Sequence, residues 1–202
     1  MAASQCYAFA LLVSCIAFCH HAPAAYGAAA APANQTGDFL GCLAVNIPPA
    51  IVYTHASQSY PSVLESGIKN LRFVTSGRTS TPVALVEATD ASHVQAAVRC
   101  GARYGVHVRS RSGGHDYEGL SYRSLNTTRP FAVVDMAALR EVRVDVRRET
   151  AWVGSGATLG EVYYAIANKS ARLGFPGSVC PTVGVGGSGG SRIFFMGVPV
   201  PL

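Results

Sequence analysis

Basic runs and aromatic ladders are both missing from this 202-residue sequence. Only 13% of its residues are charged, and the arginines behind its formal charge of +5 are scattered along the chain. A nucleic-acid surface needs a basic stripe with aromatic platforms, so that class of partner is excluded. A membrane span is missing too: the apolar run Ala8 to Phe18 is shorter than the roughly 20 residues that cross a bilayer. No internal repeat is visible, and the Gly-Lys-Ser or Gly-Lys-Thr of a P-loop is absent. What is present is an apolar share of 49%, enough for a packed globular core.

The run Ala8 to Phe18 has the length of a signal-peptide core, and Ala25-Tyr26-Gly27 offers a small-residue cleavage site. No lysine or arginine precedes it, which leaves a buried helix or a misplaced start as the alternative. Residues 1–27 are read as a secretory leader. Its removal takes away Cys6, Cys15 and Cys19 and leaves Cys42, Cys100 and Cys180. An odd number in an oxidising compartment suggests one disulfide and one thiol with another fate. Three unpaired buried cysteines are the alternative. Secretion would also make acceptors of the sequons that begin at Asn34, Asn126 and Asn168.

Ala28 to Thr36, rich in alanine and proline, reads as disordered or a short leader, and ordered sequence begins over Gly37 to Cys42. Thr54 to Asn70 shows no strong period. This gives an N-terminal segment over 28–77 and a domain over 78–202. Within the domain, Val83 to Ala88 reads as a buried strand. A helix follows over about Ser92 to Tyr104, capped by Asp90 or Ser92, with Val94, Ala97, Val98 and Ala102 on its apolar side. Gly105 stops it and Val106 to Ser110 returns as a strand, a βαβ length that makes the two strands parallel. Phe131 to Asp135, Val142 to Val146 and Thr150 to Val153 are short strand-like runs. Thr158 caps a second helix through about Ser170, and Gly174 to Gly190 is a glycine-rich loop. The expected class is α+β, a small parallel unit followed by a more antiparallel part.

Two loops carry chemistry. The first, Arg109-Ser110-Arg111-Ser112-Gly113-Gly114-His115-Asp116-Tyr117, follows directly from a strand. Adjacent glycines let backbone N–H groups approach a pyrophosphate without a Cβ in the way. Arg109 and Arg111 alternate, so both can face one side of the strand end and balance phosphate charge. This nonapeptide contains no G-x-G-x-x-G, so a Rossmann fingerprint is not indicated. The bland alternative is a glycine turn with solvated arginines. The second loop, Gly174 to Gly187, sets Cys180 between a proline-stiffened turn and a glycine run. A thiolate there would be a good nucleophile toward an electron-poor ring.

Arg111-Ser112-Gly113-Gly114-His115-Asp116-Tyr117-Glu118-Gly119-Leu120-Ser121-Tyr122 resembles the flavin-attachment motif of the plant berberine bridge enzyme-like family. These are secreted FAD-linked oxidases of the vanillyl-alcohol-oxidase/p-cresol-methylhydroxylase superfamily. The likeness runs from about Phe39 to Gly187 and includes Val133-Val134-Asp135-Met136 and Gly154-Ser155-Gly156-Ala157-Thr158-Leu159-Gly160-Glu161. It implies a p-cresol-methylhydroxylase-type FAD-binding domain with bicovalent FAD, bonded at the 8α carbon to His115 and at C6 to Cys180. It places Arg111 and Tyr117 within the motif and implies that Ser112, Gly113, Gly114 and Asp116 cradle the pyrophosphate. Gly184, Gly186 and Gly187 would pack near the cofactor, and Val183 would stand where the family gates oxygen. Cys42–Cys100 would be its disulfide, and the partners would be FAD and an alcohol or carbohydrate substrate.

After Gly187 the family continues into a histidine, an aromatic residue and more glycines, whereas this chain continues from Ser188 to Leu202 with a different sequence. An altered reading frame or splice choice is the expectation for 188–202, and the FAD-binding domain is then incomplete. Without the family's substrate domain, the chain alone is expected to be unstable and catalytically silent. The competing reading is a truncated, inactive isoform or gene-model fragment; a third is a secreted binding module whose glycine loops are plain turns.

Overall fold

A computed structural model describes residues 34–74, 79–187 and 198–199. The chain divides into two units, Met1–Ala31 and Pro32–Leu202. The first holds the expected leader and lies outside the described residues, as does most of the tail 188–202. The second unit is α+β, as expected, with a four-stranded sheet in the order β1-β2-β4-β3. Strand β1 (Val52–Thr54) runs antiparallel to β2 (Ala84–Glu87). Strands β2, β3 (His107–Arg111) and β4 (Phe131–Asp135) are parallel. The two strands of the expected βαβ unit are therefore parallel but not neighbours, because β4 lies between them.

All five residues of β4 are buried, as suits a parallel strand covered on both faces. Ala84, Val86, Ala132 and Val134 point to one side, where they meet Phe39, Leu43, Ala97 and Cys100. Leu85, Phe131 and Val133 point to the other, against Tyr60, Leu64 and Tyr122. Helix α1 (Gln35–Asn46) supplies Phe39 and Leu43, one turn apart on its buried side. Its N-cap is Asn34, whose side chain accepts from the Gly37 amide at 3.3 Å. Gln35 and Thr36 are thus the first turn of a helix and not a disordered leader. Helix α2 (Tyr60–Ser66) lies in the stretch where no period was evident.

Helix α3 (Ala91–Tyr104) is capped by Asp90 and closed by Gly105 at φ 68°, a left-handed residue that suits glycine. Its buried residues are Ala96, Ala97, Cys100 and Gly101, and Val98 is 51% exposed. The apolar face is rotated from the expected one because small residues let the helix lie close to β3. A Cβ on Gly101 would collide with Val108 and with the Val106 carbonyl. Cys42 and Cys100 form a disulfide between α1 and α3, with Cα atoms 5.8 Å apart, as the resemblance implied. Closing this loop, 58 positions in sequence, stabilises the fold by about 4 kcal/mol on the chain-entropy model. Cys42→Ser with Cys100→Ser is expected to remove about that much stability, read as a lower urea midpoint. An unchanged midpoint would contradict it.

The more antiparallel part follows. Strands β5 (Val142–Asp145) and β6 (Thr150–Val153) pair as a hairpin. Helix α4 (Leu159–Lys169) packs Leu159, Val162 and Ile166 on the hairpin's Val142, Val144 and Val153. Its start is a capping box: the Thr158 amide donates to the Glu161 carboxylate at 2.8 Å, and the Glu161 amide donates to the Thr158 hydroxyl. Strands β7 (Leu173–Gly174) and β8 (Val198–Pro199) pair antiparallel, so Gly174 belongs to a strand and the loop begins one residue later than expected.

Candidate active site

The parallel strands end together, at Glu87, Arg111 and Asp135, and the carboxyl ends of parallel strands are where open sheets bind ligands. The histidine loop leaves β3 there. Arg111 anchors it but does not face a ligand. The side chain is fully buried, and Nε donates to Asp135 Oδ2 at 2.8 Å. Its terminal nitrogens donate to the Leu64 and Val63 carbonyls at 2.7 and 2.9 Å. Arg109 shares that side of the strand, donating to the Leu120 carbonyl at 2.7 Å with its guanidinium 4.5 Å over the Phe131 ring. The alternation of the two arginines holds. Their expected phosphate role does not, because both guanidiniums are engaged inside the protein.

Beyond Arg111 the backbone turns sharply. Gly114 has φ 69°, and a Cβ there would overlap the Gly67 carbonyl. The Asp116 carboxylate accepts the Glu118 and Ser121 amides, both at 2.9 Å. It stabilises the loop; an acceptor-only anion is a poor partner for pyrophosphate. Among the described residues, the amides of Gly113, Gly114 and His115 make no hydrogen bond to protein. These are the donors the loop can offer a ligand.

The cysteine loop is held by the start of α4, whose first amides have no partner inside the helix. Leu159 donates to the Val183 carbonyl at 2.9 Å and Gly160 to the Pro181 carbonyl at 2.8 Å. The Tyr163 hydroxyl donates to the Ser178 carbonyl at 2.6 Å. The Ser155 carbonyl receives both loops, from Ser112 Oγ at 2.6 Å and from the Gly186 amide at 3.1 Å. The loops also touch directly. A Cβ on Gly113 would strike the Gly184 amide and come within 2.7 Å of the Thr182 carbonyl, and one on Gly184 would strike Ser112 and Gly113. At these positions the missing side chain makes room for protein backbone rather than for a ligand. Gly187 ends the short 3₁₀ turn Val185–Gly187.

This packing brings the two reactive side chains together. His115 Nε2 lies 2.7 Å from the Thr182 hydroxyl, and Cys180 Sγ lies 3.4 Å from the same oxygen. Cys180 is the free cysteine among the described residues, and it is exposed. The Thr182 hydroxyl, followed by the Thr182 and Val183 amides, holds its thiol below the ordinary cysteine range. The thiolate is therefore populated at lower pH than in an unperturbed cysteine. Both side chains line a cavity of about 1110 Å³, together with Ser112, Gly113, Gly114, Asp116, Val183, Gly184 and Gly186. Tyr117 lines it too, with 87% of its surface exposed.

Sequence reasoning missed three contributors: the Thr182 bridge, the shared Ser155 carbonyl, and Ser121, whose buried hydroxyl has no partner. A hydroxyl two positions after a cysteine was the visible sign of the first. Asn34, Asn126 and Asn168 are all exposed, and no group of His, Cys, Asp or Glu suited to a metal exists among the described residues. No described helix is long and apolar enough to cross a membrane.

A cavity walled by two glycine loops, at the ends of parallel strands and with a histidine and a cysteine on its edge, defines a flavin-binding domain. The family model described as FAD binding domain matches residues 82–199, more than half of the chain, and the chain belongs to that family. Its relatives are berberine bridge enzyme-like proteins. Berberine bridge enzyme-like Cyn d 4 of Cynodon dactylon is 51% identical over 193 residues, which cover 94% of this chain and 36% of that protein. The wild-type grass pollen allergen Phl p 4.0202, described as a glucose dehydrogenase, superposes with a TM-score of 0.72 at 54% identity. That match covers 75% of this chain and 30% of the other. A Phl p 4 variant with isoleucine replaced by valine, described as a glucose oxidase, has the same TM-score at 55% identity and the same coverage. The chain thus spans about a third of the length of these relatives.

The residues present fit FAD. The cavity exceeds the roughly 300–1,000 Å³ usual for small-molecule sites. Ser121, on its wall, carries the buried hydroxyl without a partner. Among the described residues the cavity wall includes Asp116 and Glu118 but no lysine or arginine, which leaves backbone amides and hydroxyls as its donors for phosphate.

Proposed function

We propose that this chain is the cofactor-holding portion of a secreted, berberine bridge enzyme-like oxidoreductase that oxidises an alcohol or carbohydrate hydroxyl, with O2 as acceptor. His115 and Cys180 would hold FAD at its 8α carbon and at C6. The observation that carries this reading is their meeting on the Thr182 hydroxyl at one cavity wall. When bound, FAD supplies the acceptor for the substrate's hydride. The chain's own part is to hold and orient. The Gly113, Gly114 and His115 amides would face the pyrophosphate, with the Ser121 hydroxyl a further donor. The Gly113–Gly184 contact keeps the two attachment points at a fixed spacing.

Val183 lines the cavity, half-buried. It stands where the resemblance places oxygen access, and the Phl p 4 descriptions change from dehydrogenase to oxidase with an isoleucine-to-valine replacement. A valine here favours the oxidase. The disulfide and the exposed sequon asparagines favour the secretory pathway. A second reading is a product that holds flavin weakly or not at all. Exposed apolar side chains such as Trp152 (79%) and Val179 (98%) support it. The product secreted on expression of the 202-residue chain is expected to stay yellow through acid precipitation and to form no peroxide from glucose. Loss of all colour to the supernatant would leave the second reading standing.

A further inference from the structure

We propose that Thr182 is a positioning residue that couples His115 to Cys180, its hydroxyl carrying the thiol proton to the imidazole and leaving a thiolate–imidazolium pair. The geometry sets the route. Thr182 Oγ1 is 2.7 Å from His115 Nε2 and 3.4 Å from Cys180 Sγ, so one hydroxyl touches both partners. A threonine hydroxyl has one proton and two lone pairs, and can donate to one neighbour while accepting from the other. In the neutral state the S–H donates to Oγ1 and the Thr182 O–H donates to an unprotonated Nε2. As the thiol proton moves to Oγ1, the Thr182 proton moves to Nε2. One S–H and one O–H bond break, one O–H and one N–H bond form, and no electron leaves the trio. The product has Nε2–H donating to Oγ1 and Oγ1–H donating to the sulfur anion.

The surroundings favour this charge pattern. Asp116 and Glu118, on the histidine loop, put carboxylates on the same cavity wall, and among the described residues no lysine or arginine lies there to oppose an imidazolium. Tyr117 is the remaining titratable group of that loop on the wall. From α4, Tyr163 directs its hydroxyl to the Ser178 carbonyl and leaves the sulfur to Thr182. The downward displacement of the Cys180 thiol has the Thr182 hydroxyl as its largest cause. The purpose of the relay rests on the flavin reading above: a thiolate is the form of Cys180 able to bond to the ring.

The test uses the full chain prepared without flavin, alkylated with iodoacetamide between about pH 5 and pH 9 and read by mass on the Cys180 peptide. The wild-type rate should rise with a midpoint below the roughly 8.5 of an ordinary thiol. Thr182→Val should move that midpoint up and slow alkylation about tenfold near pH 7, whereas Thr182→Ser should keep the wild-type profile. Identical profiles for wild type and Thr182→Val would overturn the relay. So would a Thr182→Ser profile as displaced as that of Thr182→Val, which would mark a shape effect. FAD is then added and acid-stable flavin is measured. Displaced alkylation with fully extractable FAD would uphold the relay and defeat the flavin reading; equal attachment with unshifted alkylation would do the reverse.

Discussion

Replacing Arg111 with methionine is expected to lower the unfolding free energy by about 3–5 kcal/mol, the usual cost of leaving one member of a buried ion pair alone. The substitution strips Asp135 of its counter-ion and takes one donor from each of the Val63 and Leu64 carbonyls, Val63 keeping the Ser66 hydroxyl. All of these groups are at or near the carboxyl ends of β3 and β4, where the histidine loop begins. Asp135 would keep only the Ala137 amide, on its other oxygen. Urea unfolding by circular dichroism checks the prediction. A midpoint within the wild-type error would mean that the pair does not organise the strand ends.

Gly113→Ala is expected to abolish attachment of flavin at both residues while the sheet stays folded. The added Cβ meets backbone atoms, the Gly184 amide and the Thr182 carbonyl, rather than the end of a flexible side chain. Relief therefore requires one loop to move away from the other. Overpacking of this kind costs about 1–3 kcal/mol. The displacement falls where the His115–Thr182–Cys180 chain needs tenths of an ångström. Gly41→Ala is the control: a Cβ at Gly41 meets nothing within 4 Å. That position lies in α1, where alanine is favoured over glycine by about 0.5–1 kcal/mol. Acid-stable flavin per mole of protein should fall to background for the first variant and stay at wild-type level for the second. Retention by Gly113→Ala would detach the loop contact from function.

Local pattern carried the reading a long way for β2, α3, β4 and α4. Each has an apolar run or a cap within a few residues: Asp90 and Gly105 for α3, Thr158 with Glu161 for α4. Helix α1 was not legible, because its apolar residues Phe39, Leu40, Cys42, Leu43, Ala44 and Val45 run together and mark no single face, although Phe39 and Leu43 alone among them are fully buried. Its stability comes from the distant Cys100 and from packing. The insertion of β4 between β2 and β3 was equally hidden, since strand order is settled by long-range pairing.

At the site, His115 and Cys180 stood out by residue type and by a familiar motif. What surrounds them did not. Arg111 looked like a phosphate ligand because its partner Asp135 enters only through the β3–β4 register. Gly113 and Gly184 looked like ligand-facing glycines because nothing local shows that each leaves room for the other. Thr182 has no sequence mark beyond its closeness to Cys180; its role exists only once the histidine loop arrives.

Mass analysis of peptides from the flavin-loaded chain tests the convergence of the two loops most directly. We expect one cross-linked species in which the peptide bearing His115 and the peptide bearing Cys180 are joined through a single flavin. Recovery of the two peptides separately, whether bare or each with its own adduct, would contradict it.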